Sequence, residues 1–215
     1  RPGIIVTGGH YDTLSHRPHF VGANDGGSST GILLALADHF RTHPPQGPSV
    51  WIVWLDGEEA IRNWVGSDHT YGSRELARRW RDNGTAARIR AVLILDMIGD
   101  RDLDVARDTH ATPWLMKLVC REAQRIGAGP DFCNYDEDIE DDDTEFRAVG
   151  LSAADIIDFQ IKGHAGDATG KFNQFTGLHI VKAVNPGNTV TNGQHLTNFG
   201  NFSFLAKALD LFFQN

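Results

Sequence analysis

Cysteine is scarce in this chain. Cys120 and Cys133 are the only two among 215 residues, and neither sits in a metal-spacing motif, which excludes a cysteine-ligated zinc module. One falls on a predicted helix and the other on the loop after it, so a disulfide in an oxidising compartment and a pair of buried free thiols are both open readings. No membrane span, signal peptide or lipid-attachment motif occurs in the sequence. Positive charge is in deficit too. The formal net charge is −8, which disfavours phosphate contacts and hence nucleic acid, and suits a substrate with a positive amino terminus. Much of the acidic excess lies in residues 136–143, which lack the glycine and twelve-residue spacing of an EF-hand. They read as a solvated loop with Asp142 alone turned inward.

Internal repeats and domain boundaries are also missing. With 40% hydrophobic residues, the chain suffices for one domain over residues 1–215 with a large core. Strand-like runs at 4–7, 50–55, 91–95 and 154–157 alternate with helical patterns at 30–40, 74–81, 113–126 and 202–213. That order predicts an α/β fold of three layers, α/β/α, around a central mixed, mostly parallel sheet.

Chemistry concentrates where strands end. The apolar run 50–55 delivers Asp56-Gly57-Glu58-Glu59 to the end of a buried strand, where open α/β sheets place their ligand sites. Neighbouring side chains at a strand end diverge, so one glutamate can hold a metal while the other moves protons. Gly8-Gly9-His10-Tyr11-Asp12 follows the first strand, Ala23-Asn24-Asp25-Gly26-Gly27-Ser28-Ser29 opens the first helix, and Asp96 ends the third strand. Each taken singly has a plain structural reading as a core histidine, a helix cap or a turn former. Together, His10, Asp25, Glu59 and Asp96 are the imidazole and carboxylate donors that suit zinc.

These motifs, in this order and spacing, resemble the M28 clan of zinc enzymes, which contains aminopeptidases with two co-catalytic zincs and animal-type glutaminyl cyclases that work with one. The resemblance runs from residue 4 to about 158. Glu58-Glu59-Ala60, then Trp64, Asp68 and Tyr71-Gly72-Ser73-Arg74, is similar to the cyclases. So is Ile139-Glu140-Asp141-Asp142 with Phe146 four residues on. Gly26-Gly27-Ser28-Ser29 and Asp96-Met97 look more like the aminopeptidases.

The cyclase resemblance implies one zinc held by Asp25, Glu59 and a third ligand, with Glu58, Asp142 and Asp96 as catalytic residues. Trp64 walls a small pocket, and His10 and Asp96 stand behind the metal. The substrate implied is a peptide or protein amino terminus. The aminopeptidase alternative has Asp25 bridging two zincs, with His10 and Asp96 completing the second site. A third reading is a peptidase-shaped binding module without catalysis. The family's Trp-His-Thr segment is not found here, so the third ligand is expected at His164, with His195 competing and His179 behind them. By analogy alone the setting is secreted or periplasmic; the oligomeric state is left open. His16, His19, His39, His43, His69 and His110 are expected at the surface.

Overall fold

The computed structural model describes residues 3–17, 20–100 and 102–160. The final helical pattern, together with His164, His179 and His195, lies outside the described residues. The elements run β1 (Ile4–His10), α1 (Gly27–Thr42), β2 (Ser49–Leu55), α2 (Tyr71–Asp82), β3 (Ile89–Asp96), β4 (Val105–Asp108), α3 (Pro113–Arg125), β5 (Phe132–Glu137), α4 (Asp142–Ala148) and β6 (Ala153–Ile157). The main sheet has the order β2-β1-β3-β6, with every described pairing parallel. β4 and β5 form a separate parallel pair.

A parallel sheet must be covered on both faces, because its crossovers put helices there. Side-chain alternation divides the apolar residues accordingly. Ile5, Ala91, Leu93, Leu95, Ala154 and Ile156 pack against Ile32, Leu33 and Leu36 of α1 and Leu115 and Met116 of α3. Ile4, Val6, Val92, Ile94 and Ala153 face the other way, onto Ala77 and Trp80 of α2 and Phe146 of α4. These are the expected three layers. Full burial of a side chain such as Leu95 or Phe146 stabilises the fold by about 1.5–3 kcal/mol.

The chain steps from β1 outward to β2, then crosses back over β1 to β3. A reversal of this kind opens a crevice at the carboxyl ends of the strands on either side of it. His10 ends β1 and Asp96 ends β3, so both sit at that crevice. Gly9 makes the approach of α1 possible. A Cβ there would fall 2.4 Å from the Leu95 carbonyl oxygen and 2.7 Å from Ser29 Cβ.

The structure departs from the sequence reading at three places and decides the open reading of the cysteines. Helix α1 starts at Gly27, not residue 30. Its Gly-Ser-Ser opening is a poor helix former, but Ser29 Oγ donates to the His10 carbonyl (2.8 Å) and Ser28 Oγ to that of Asn24 (2.5 Å). Helix α2 starts at Tyr71, and Cys120 and Cys133 are joined as a disulfide tying α3 to β5. Residues 136–143 are not one solvated loop. They span the end of β5 and the start of α4, and Asp141, Asp142 and Asp143 are all buried.

Replacing Gly9 by Ala tests the close packing of α1 on β1. The expected loss is about 1–3 kcal/mol, read as a lowered urea midpoint with an unchanged denaturant slope. An unchanged midpoint would mean that the helix does not press on the strand at this point.

Candidate functional site

The buried imidazole of His10 is the centre of the crevice. Its Nε2 lies 3.0 Å from Asp96 Oδ1 and 3.1 Å from Asp25 Oδ1. Its Nδ1 is 3.1 Å from the Asp12 carbonyl oxygen and 3.7 Å from Glu58 Oε2. His10, Asp25 and Asp96 each offer a ligand atom, all within 4.8 Å of one another. The loops that carry them are pinned from below: Gly99 N–H donates to Asn24 Oδ1 (2.8 Å) and Ile98 N–H to Ser28 Oγ (3.1 Å). Met97 N–H donates to Asp96 Oδ1 (2.8 Å).

The two glutamates arrive on the turn after β2. The Asp12 carboxylate accepts the backbone N–H of both Glu58 and Glu59, at 3.2 Å each. On the far side, Thr70 N–H donates to the Glu58 carbonyl (2.8 Å) and Tyr71 N–H to that of Gly57 (2.7 Å). Thus held, the side chains diverge. Glu58 is buried beside His10, and Glu59 is half-buried with its Oε1 enclosed and lacking a hydrogen-bond partner.

Burial and like charge dominate the electrostatics. Burial, then the charge of Asp141, pushes Glu58 up to about 11, with Asp96 and Asp142 adding and His10 opposing. Glu59 is raised to about 8 by burial and the Asp25 charge. Asp142 is raised to about 7 by burial, although Ser73 and His10 pull it back; the Ser73 hydroxyl itself donates to the Thr70 carbonyl (3.1 Å). Asp141 and Asp155 are pushed well above the usual carboxylate range by burial and neighbouring acids. Burial works against charge on His10, but Asp96 beside it and hydrogen bonds to Asp12, Asp25 and Asp96 outweigh that and raise it well above its ordinary value.

This donor set fits a divalent metal ion. Carboxylates and an imidazole converge in a space sheltered from water, and Glu59 Oε1 is enclosed without a partner. Oxygen and imidazole donors of this kind suit zinc.

Of the residues singled out from sequence, His10, Asp25 and Asp96 come together. Glu58 adjoins them, Glu59 feels the charge of Asp25, and Asp142 on α4 feels that of His10 and Asp96. Trp64 stands on the loop after Glu59, 40% exposed, its ring stacked on that of His69 at 4.3 Å. His69 is buried rather than at the surface, because that stacking covers it. Sequence reasoning missed Asp12, Asp141 and Asp155. The two-residue spacing of His10 and Asp12 was a usable signal; nothing local marks Asp155, which sits inside an apolar strand.

Residues 1–180 match peptidase family M28. The glutaminyl-peptide cyclotransferase of Drosophila melanogaster is 33% identical over 104 residues, covering 46% of this chain and 29% of that protein. The chain therefore aligns with less than a third of the length of this curated relative. The crystal structure of an Acidobacteriales bacterium glutaminyl cyclase superposes with a TM-score of 0.81 at 33% identity, covering 100% of this chain and 70% of that one. A leucine aminopeptidase precursor from Bacteroides thetaiotaomicron shares the fold, with a TM-score of 0.68 at 21% identity over 84% of this chain and 68% of that one.

A pH test follows from the crowded acids. Glu59 (to about 8), Asp142 (to about 7), and Asp143 and Asp158 (each to about 6, burial first) bind protons more tightly folded than unfolded. In chelator-stripped protein their contribution to stability is full below about pH 4 and is lost as the pH rises toward about 8. Zinc at roughly a hundred times its dissociation constant should raise Tm by about 5–10 °C at pH 8, and by less at pH 5, where protons compete for the ligands. A larger zinc shift at pH 5, measured by calorimetry, would contradict the assignment of Glu59 to a metal site.

Proposed function

The chain belongs to peptidase family M28, and from that premise we propose that it is a zinc-dependent glutaminyl cyclase-like enzyme. It would convert the N-terminal glutamine of a peptide to pyroglutamate with release of ammonia. The observation that carries this reading is the buried Glu58 set 3.7 Å from His10, beside the His10–Asp25–Asp96 cluster and at the foot of the loop bearing Trp64. The 33% identity to a glutaminyl cyclase across the whole chain supports it.

In this reading Asp25, Glu59 and a histidine outside the described residues, His164 or else His195, hold one zinc. Such an ion, when bound, polarises the γ-carbonyl of the substrate glutamine as a Lewis acid. The α-amine nitrogen attacks the side-chain amide carbon; a C–N bond forms to close the ring and the amide C–N bond breaks. One proton must travel from the attacking to the departing nitrogen. Glu58 carries it. Its carboxylate takes the proton from the attacking amine, a step that burial among acids favours by raising its affinity for protons. The carboxyl so formed gives the proton to the departing amide nitrogen, which leaves as ammonia. Asp142 and Asp96 steady the positions of substrate amide and Glu58, and Trp64 gives the pocket an apolar wall. The Cys120–Cys133 disulfide supports a secreted or periplasmic setting. Among the described residues no helix is long and apolar enough to cross a membrane.

The zinc aminopeptidase reading has its own support, since His10, Asp25 and Asp96 make a cluster to which Glu59 does not belong. Zinc stoichiometry by elemental analysis, with ammonia release from a Gln-peptide and cleavage of a Leu-anilide followed in parallel, separates the two. One zinc with ammonia release is the expected result; two zincs with anilide cleavage would make the enzyme an aminopeptidase. Glu58→Gln should lower kcat by about 10²–10⁴-fold with zinc retained, and zinc lost along with activity would mean that the roles of the two glutamates are exchanged.

A further inference from the structure

The loop that carries Trp64 is internally closed. The Asp68 carboxylate accepts the backbone N–H of Arg62 (3.0 Å) and Asn63 (3.1 Å) and the Tyr71 hydroxyl (2.7 Å). Three donors gathered on one carboxylate, two backbone N–H groups and a hydroxyl, make the loop a body of its own. What fastens this body to the rest of the site is a different pair.

Arg74, in the first turn of α2, donates to the carbonyls of Ser67 (3.0 Å) and His69 (2.6 Å) and to Thr70 Oγ1 (3.1 Å). Its Nε donates to Glu145 Oε1 at 2.9 Å. The same Glu145 oxygen accepts from Thr70 Oγ1 at 3.0 Å. Glu145 lies on α4, one turn beyond Asp142. Below the pair, Trp80 of α2 stacks on Phe146 of α4 at 5.4 Å, so the two helices are joined by an apolar contact whatever happens above it. Thr70 has a left-handed backbone, φ 52, which a β-branched residue holds only under constraint from its surroundings. Its bonds to Glu58, Arg74 and Glu145 supply that constraint.

We infer that Arg74 and Glu145 are positioning residues, a clamp that locks the Trp64 loop to the helix carrying Asp142 and so sets the width of the pocket. This rests on the reading of Trp64 and Asp142 as parts of the substrate site. The guanidinium reaches four acceptors on two elements at once; a lysine ammonium is a point charge on a flexible stem and cannot reproduce that fork. Losing the clamp frees the wall while α4 stays seated through Phe146, so ground-state binding suffers more than the chemical step.

The test uses Arg74→Lys and the isosteric Glu145→Gln, which keeps the fold intact should the first variant prove unstable. For a Gln-peptide, KM should rise about tenfold, with kcat within about threefold and zinc content unchanged. The double variant should be little worse than either single one, because both remove the same contact. Fluorotryptophan labelling gives a readout independent of activity. The Trp64 resonance, assigned with Trp64→Phe, should move or broaden in both variants while those of the other tryptophans among the five hold still. An unmoved Trp64 resonance with unchanged KM in both variants overturns the clamp. So does a loss of zinc with all five resonances changing together, which marks general loosening. Should the protein release no ammonia from a Gln-peptide, the cyclase reading fails, and the fluorine spectrum alone decides the clamp.

Discussion

Everything at this site answers to one constraint: among the described residues, several carboxylates share a water-poor crevice with the imidazole of His10. Asp25 and Asp96 face the Nε2 of His10, and Asp12 and Glu58 face its Nδ1. Like charges so close, with little solvent to screen them, cannot all ionise. Protons, the His10 charge or a bound cation must make up the difference. Each of these leaves Glu58 beside a positive or proton-bearing partner. The raised proton affinity of Glu58 and the suitability of the His10–Asp25–Asp96 cluster for a cation are therefore products of the same crowding.

Holding that arrangement requires close approach rather than strong individual bonds. Gly9 lets α1 come against β1, which brings Asp25 over the end of the strand. The Asp12 carboxylate clasps two successive N–H groups and so aims Glu58 and Glu59 apart. Arg74 and Glu145 do for the outer wall what Asp12 does for the floor, joining elements far apart in the chain. The apolar layers on either side of the sheet make this possible, since they keep β1, β3 and β6 from shifting relative to one another.

Much of this was legible residue by residue. His10, Asp25 and Asp96 follow strand and helix signals closely enough that their convergence could be expected from order alone, as could the delivery of Glu58 and Glu59 to the neighbouring strand end. The strands with continuous apolar runs were equally plain. The pair β4 and β5 was not, because Val105–Asp108 and Phe132–Glu137 carry charged residues at several positions and owe their extended form to each other. Asp141 and Asp143 read as solvated acids, yet they are buried: the Asp141 side chain caps α4 by accepting the Asp142 N–H, and Asp143 pairs with Arg147 at 2.8 Å. His69 looked like a surface residue because nothing local announces that Trp64 lies flat upon it.

Periodicity and the residues at strand ends were enough to indicate the layered α/β architecture, a cluster of carboxylates and an imidazole at the strand ends, and the divergence of two adjacent glutamates. These depend on neighbours within a turn or a strand, which the chain order records directly. Which acids lose water, which histidine lies beneath an aromatic ring, whether Cys120 meets Cys133, and how the Trp64 loop is tied to α4 all depend on groups brought together by folding from distant positions. Burial and the distance between charges are properties of that packing, and they set the protonation of each acid in the crevice.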